Sequence, residues 1–299
     1  MIPYNQPFTA TISVGKTHID VFPVKDNIDL ETVESFGEEW STFHTFNEAE
    51  IFNAGDNYFD LVSPDILNKS ANVLDVGCGT GRWSYYVADK VDFVECIDPS
   101  KSVLAAANLL KNKSNTRITQ ASVDNIPFAD NSFDFVFSLG VLHHVPDTKE
   151  AIKKCMQKVK HSGHILLYLY YSLENRGIAF KILFYLSNSI RWVVSKFPSK
   201  LKIGICNLLA VLFYLPFVAF AKMLLFVGVS ERIVCKIPLS WYVDKSFHII
   251  RNDSLDRFGT PLEQRFSKQQ ITDMLEYAGC KNIVFADNAP YWRVFAQKK

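Results

Sequence analysis

The chain lacks several features that would commit it to common functions. Its six cysteines, at 78, 96, 155, 206, 235 and 280, contain no C-x-x-C pair and no metal-site spacing. No metal is therefore expected. Several of these cysteines fall in apolar runs, where cysteine is usually a small buried hydrophobe. A reducing, cytoplasmic setting follows. Charge of one sign is missing too: 32 Lys and Arg stand against 31 Asp and Glu, net +1. Nothing in that balance points to a nucleic-acid partner. Met1 to Ala10 lacks the basic start and apolar core of a signal peptide. At 299 residues, the chain can make one large domain or a domain with a cap.

What is present is concentrated in residues 73–84, Val-Leu-Asp-Val-Gly-Cys-Gly-Thr-Gly-Arg-Trp-Ser. A short apolar strand ends in Asp75, and glycines follow at 77, 79 and 81. Three alternate glycines let the backbone turn sharply and approach a ligand without Cβ atoms in the way. A carboxylate at Asp75 suits a ligand carrying an ammonium group or hydroxyls. The dinucleotide fingerprint G-x-G-x-x-G competes. Here the third glycine comes one residue early, and Asp75 would aim an anion at a phosphate site.

The following segments alternate between strand and helix. Val94 to Asp98 is a second strand ending in an acid, and residues 102–112 read as a helix. Arg117 to Ala121 and Phe133 to Ser138 are the third and fourth strands. A helix over about 148–160 leads to a turn at His161-Ser162-Gly163-His164 and a fifth strand, Ile165 to Tyr170. That order predicts an α/β, doubly wound, mostly parallel sheet covered on both faces. Its ligands bind at the carboxyl ends of the strands. Asp75, Asp98, Ser122 and Leu139 all fall at such ends.

With these motifs, residues 70–171 resemble class I S-adenosylmethionine (SAM)-dependent methyltransferases of the small-molecule type, similar to quinone and sterol methyltransferases. The resemblance implies a Rossmann-like, seven-stranded sheet with SAM as cofactor. It implies that the loop at Gly77, Gly79 and Gly81, with Asp75, contacts the methionine part, and that Asp98 holds the ribose. Ser122 and Val123 would flank the adenine, and Leu139 to His144 would border the sulfonium and the acceptor. The family often has Asp where this chain has Ser122. Ser can still accept a hydrogen bond, and Asp124 is a second candidate. His143 and His144 are the candidate bases for an oxygen acceptor, with His144 favoured by the resemblance. The competing reading is that both histidines only shape the pocket.

A capped helix over 267–278, Gly279 as its stop, and strands at Lys281 to Ala286 and Trp292 to Ala296 match the family's final hairpin. Four regions result. Residues 1–69 form an N-terminal segment over the cofactor site, and 70–171 the SAM-binding core. Residues 172–263 form a mostly helical hydrophobic insertion, and 264–299 complete the core. Within 1–69, a hairpin around Gly15-Lys16 and helices over 31–40 and 47–53 are expected. Gly37 to Trp40, with Phe43 and Phe46, resembles the segment such enzymes lay over SAM. Equally, these aromatics could only pack that helix on the sheet.

The insertion carries two long apolar segments. Ile178 to Phe197 has one polar stripe, Lys181, Asn188, Arg191 and Ser195. Ile205 to Val229 is long enough to span a bilayer but contains Asn207, Lys222 and a kinking Pro216. Across 178–240 the charges are basic except for Glu231. Three readings compete. A true span would leave 264–299 across the membrane from the sheet they complete, and a two-helix hairpin would put charges inside the bilayer. The others are a cap or homodimer interface, and a platform on an anionic membrane surface that admits a lipophilic acceptor. Tyr170, Tyr171, Arg257 and Arg265 are acceptor-side candidates, although the polar residues of 247–266 could instead form ion pairs bracing the cap. The expected function is methyl transfer to a small lipophilic acceptor at oxygen or carbon. The alternative is a non-catalytic SAM- or lipid-binding protein on the same fold.

Overall fold

The computed structural model describes residues 1–42, 47–174, 177–287 and 292–299. They divide into two compact units, Met1–Asn175 with Leu262–Lys299, and Arg176–Pro261.

The first unit opens with a hairpin, β1 (Ala10–Val14) and β2 (Thr17–Val21), turned at Gly15 with φ +59°. Helices α1 (Leu30–Thr42) and α2 (Glu48–Tyr58) follow. Asn47 caps α2, accepting from the Ala49 amide while Glu50 answers the Asn47 amide. The alternation then begins: β3 (Asn72–Val76), α3 (Arg82–Ala88), β4 (Phe93–Asp98), α4 (Val103–Leu109), β5 (Thr116–Gln120), β6 (Phe133–Leu139), α5 (Thr148–Lys158) and β7 (Val159–Tyr168).

The second unit is helical. It holds α6 (Ile178–Val194), α7 (Ser199–Leu209), α8 (Leu215–Phe226), the short α9 (Glu231–Val234) and α10 (Phe247–Gly259). A π-helical turn, Ala210–Tyr214, joins α7 to α8 into one 28-residue helix. The turn precedes Pro216, whose ring and missing N–H disturb an α-helix one turn upstream. By length and composition this helix could cross a membrane, and only 22% of its apolar window is buried.

The chain returns to the first unit with α11 (Lys268–Tyr277), capped by Ser267 and Gln270, then β8 (Cys280–Phe285) and β9 (Arg293–Lys298). The strand order is β1-β2-β5-β4-β3-β6-β7-β9-β8. Strands β3 to β7 are parallel, and β9 runs antiparallel between β7 and β8. Alternate strand residues serve opposite faces. Leu74, Val76, Val136 and Leu167 pack with α5 and α11, whereas Val73, Cys96, Phe135 and Phe137 pack with α3 and α4. The core is therefore a Rossmann-like doubly wound sheet.

Two expectations need correction. The sheet has nine strands, because β2 adds the N-terminal hairpin to edge strand β5 through Asp20–Thr119 and Val21–Gln120. The turn expected at 161–164 lies inside β7. Val159 already pairs with Phe133, and the register shifts before His164 meets Phe135. Ser162, at φ +60°, absorbs the extra residues as a bulge.

Candidate active site

The loop from β3 to α3 is left-handed at all three glycines: φ is +80° at Gly77, +53° at Gly79 and +81° at Gly81. Gly77 and Cys78 both donate their amides to the Ile97 carbonyl, at 2.8 and 2.9 Å. A Cβ on Gly77 would stand 2.4 Å from Val141 Cγ1. The loop is thus pinned to β4 and closed against the segment after β6.

The two acids take different parts. Asp98 Oδ2 accepts from the Gly79 amide at 2.9 Å, and Oδ1 accepts from the Ser100 amide and hydroxyl at 2.8 and 2.7 Å. Asp98 therefore holds the glycine loop and retains lone-pair capacity for a ligand hydroxyl. Asp75 is wholly buried. Its Oδ2 accepts from Ser84 Oγ at 2.6 Å, but Oδ1 has no partner. Burial pushes its carboxyl up to about 8; the Ser84 hydrogen bond opposes this and the Asp98 charge adds to it. Such an orphaned oxygen in the interior suits a donor that a ligand brings.

Ser122, beyond β5, is a second orphan: its buried Oγ has no partner. Asp124 instead accepts the Asn27 amide at 3.3 Å. Val123 and Leu139 are buried beside these strand ends. Ser122→Ala should leave the stability of the ligand-free protein unchanged or slightly raised. It should weaken cofactor binding about tenfold, the worth of one hydrogen bond. Titration calorimetry with denaturant melts on the same variant checks both.

Beyond β6, a short 3₁₀ turn carries the two histidines, and they differ. His143 is fully buried, neither ring nitrogen has a partner, and its ring stacks on Tyr170 at 3.9 Å. Burial first, then the His144 and Arg265 charges, hold its pKa well below the usual imidazole value, so it stays neutral. His144 Nδ1 lies 2.6 Å from the Leu262 carbonyl. A carbonyl only accepts, so Nδ1 carries a proton, and Nε2 is the basic nitrogen whenever the ring is neutral. Phe36 of α1 meets the His144 ring edge-on at 4.8 Å.

The segment 262–266 frames this turn. The Gln264 amide donates to the His143 carbonyl at 2.9 Å, and Gln264 Nε2 donates to the Val145 carbonyl at 2.7 Å. Tyr171 bridges to Phe266. Arg265 pairs with Glu263 at 2.8 Å, lies over the Tyr170 ring at 5.0 Å and contacts the Tyr171 carbonyl at 3.4 Å. Tyr168, Tyr170 and His143 make a continuous aromatic wall. Arg257 belongs to the second unit, where its Nε donates to Tyr214 Oη at 3.1 Å and faces Asp253 at 3.7 Å.

Residues 74–167 match the family model described as a methyltransferase domain. The chain carries a class I SAM-dependent methyltransferase domain. It is 35% identical over 165 residues to a ubiquinone biosynthesis O-methyltransferase of Idiomarina loihiensis, covering 51% of this chain and 63% of that one. Against an uncharacterized methyltransferase of Bacillus subtilis it is 24% identical over 133 residues, covering 44% and 53%. The chain thus spans about half to two thirds of these relatives' own length. The crystal structure of a SAM-dependent methyltransferase from Aquifex aeolicus superposes with a TM-score of 0.43 at 14% identity, over 85% of this chain and 98% of that chain.

The domain's cofactor is SAM, and the residues present fit it. Orphaned acceptors at Asp75 Oδ1 and Ser122 Oγ match a ligand with an ammonium group at one end and an amino-bearing base at the other. Phe43 and Phe46 of the expected covering segment, with the side chains of Glu39 and Trp40, lie outside the described residues. Sequence reasoning missed Leu262 and Gln264, which act on the histidine turn, and Ser84, which holds Asp75. It also missed the fully buried Arg293, which pairs with Asp60 at 2.8 Å. A Ser one helical turn into α3 was the only available signal for Ser84. Backbone partners such as Leu262 leave no signature of residue type.

Proposed function

We propose that this protein transfers a methyl group from SAM to a small, lipophilic acceptor, with an acceptor hydroxyl as the favoured site. SAM supplies a methyl already activated on its sulfonium, so the protein mainly aligns the acceptor and removes its proton. The observation that carries this reading is the 2.6 Å contact of His144 Nδ1 with the Leu262 carbonyl, which supports Nδ1 as the donor and Nε2 as the basic nitrogen of the neutral ring. In this reading His144 Nε2 takes the hydroxyl proton. His143 stays neutral and, with Tyr168 and Tyr170, forms an aromatic wall that suits an apolar ring. Arg265, neutralised by Glu263, braces Tyr170 and Tyr171. The kinship to a ubiquinone-pathway O-methyltransferase supports a lipophilic acceptor of the phenol or quinol class.

The setting proposed is the cytoplasmic face of a membrane. All six cysteines are free, in keeping with a reducing compartment. Exposed Lys196, Lys200, Lys222, Arg232 and Lys236 on the second unit suit an anionic lipid surface. A homodimer through the same region is the competing arrangement.

The test is incubation of the protein with lipid extract and SAM carrying an isotopically labelled methyl, followed by mass spectrometry. One labelled methyl on an extractable lipophile is expected. SAM binding with no labelled product from any extract would favour a non-catalytic binding protein. His144→Gln should lower kcat about 100-fold or more, with SAM affinity unchanged. A variant with wild-type kcat would remove His144 from proton transfer.

A further inference from the structure

The second unit has its polarity turned inside out. On the long helix 199–226, the buried stripe is Lys202, Cys206, Ala210, Tyr214, Val218 and Ala221, small or polar for the most part. The opposite side exposes Leu208, Leu212, Phe213, Phe220, Met223 and Phe226, the last at 92%. Helix α6 repeats the arrangement. Its polar stripe is drawn inward, where Arg191 bonds Asn188 and the Thr260 carbonyl. Ile182, Tyr185, Leu186 and Trp192 face outward.

Helix α10 supplies the polar interior. Tyr214 Oη donates to Asp253, Arg257 Nε donates to Tyr214, Arg251 Nε donates to Asn207 Oδ1 at 2.7 Å, and Ser254 Oγ donates to the Cys206 carbonyl at 2.7 Å. In water, burying bonded polar groups while exposing Leu and Phe reverses the hydrophobic gain of folding. Against hydrocarbon the same arrangement is favourable, because the polar groups satisfy one another and the apolar side meets acyl chains.

The edges of this apolar surface are marked. Trp192 is 66% exposed with Lys196 Nζ 3.6 Å from its ring centre, and Trp241 is 67% exposed with Lys245 Nζ at 4.9 Å. Tryptophan with an adjacent lysine suits the headgroup level, where the ring meets acyl chains and the ammonium meets phosphate.

We infer that residues 178–245 insert into one leaflet of a lipid bilayer, with the outward side of α6 and of the helix 199–226 in the acyl region and Trp192 and Trp241 at the headgroup level. This deepens the membrane contact proposed above from charge attraction to insertion, and it does not depend on methyl transfer. An apolar face this extensive, rimmed by basic residues and enclosing a bonded polar interior, fits lipid rather than a second protein copy.

The full chain should be mixed with vesicles of phosphatidylcholine alone, or with added phosphatidylglycerol, each carrying brominated acyl chains. Insertion predicts quenching of tryptophan fluorescence in both, persisting at high salt, and largely lost in the Trp192→Phe/Trp241→Phe double variant. Phe220→Ser with Phe226→Ser, both at exposed positions, should lower partitioning into neutral vesicles about tenfold or more. Two outcomes would overturn the inference. Association with anionic vesicles only, reversed by salt and without quenching, would leave the electrostatic contact standing but exclude insertion. No association with either vesicle, together with a stable dimer in solution, would assign the face to a second copy.

Discussion

Asp75→Asn should stabilise the ligand-free protein, and the gain should grow as pH rises from about 4 to about 8. The sign follows from the direction of the shift. Burial raises the Asp75 carboxyl to about 8 in the folded chain, whereas an unfolded Asp titrates near 4. Between those values the folded state holds a proton that the unfolded state has released, so stability falls as pH rises. A shift of about four units corresponds to a loss on the order of 5 kcal/mol by pH 8. Asn keeps an acceptor for Ser84 Oγ and has no charge to desolvate. Urea melts of both forms at pH 5 and pH 8 measure the difference. An equal gain at both pH values would show that Asp75 is ionised in the free protein. The same substitution should weaken SAM binding, because the neutral amide cannot balance an ammonium. Stability and function therefore oppose each other at this residue, as is common where a site is preorganised for a ligand.

Gly77→Ala should cost about 2–5 kcal/mol and abolish measurable cofactor binding. Two terms add. A left-handed backbone costs a non-glycine residue about 1–2 kcal/mol, and φ here is +80°. The new Cβ would stand 2.4 Å from Val141 Cγ1, so the segment after β6 must shift, at about 1–3 kcal/mol. That shift would pass to the histidine turn three residues on. Gly15→Ala is the control. It shares the positive φ but has open space around its Cβ, so it should lose stability by the backbone term alone and keep SAM affinity. If both variants lost binding equally, the close packing at Gly77 would not be what shapes the loop.

The parts of this molecule that were legible in the sequence are those where residue type dictates geometry. The glycines at 77, 79 and 81 adopt the backbone only glycine takes readily. The Ser267–Gln270 capping box and Gly279 delimit α11 as read. The alternation of strands and helices forecast the doubly wound, mostly parallel sheet. Other features carry no such mark. The hairpin β1–β2 was foreseeable, but its attachment to β5 rests on two residue pairs. Ser162-Gly163 reads as a turn because a bulge uses the same residues.

The polar stripe of α6 was visible as a stripe, but the side it faced was not. The usual assumption, polar side outward, is the reverse of what the second unit does. Among the site residues, Asp98 was assigned to a ribose and is first a brace for Gly79. Arg257, expected beside the acceptor, takes part in the internal network of the second unit. The contrast between His143 and His144 rests partly on the Leu262 carbonyl, a backbone atom 118 residues away from His144.

The glycine loop and its two acids form the proposed SAM site. Titration calorimetry of SAM into the full chain near pH 7, in two buffers of different ionisation enthalpy, tests it most directly. The account predicts one-to-one binding with release of about one proton as Asp75 ionises. In Asp75→Asn both the proton release and most of the affinity should be lost. No heat of binding from SAM, or binding that Asp75→Asn and Gly77→Ala leave untouched, would contradict it.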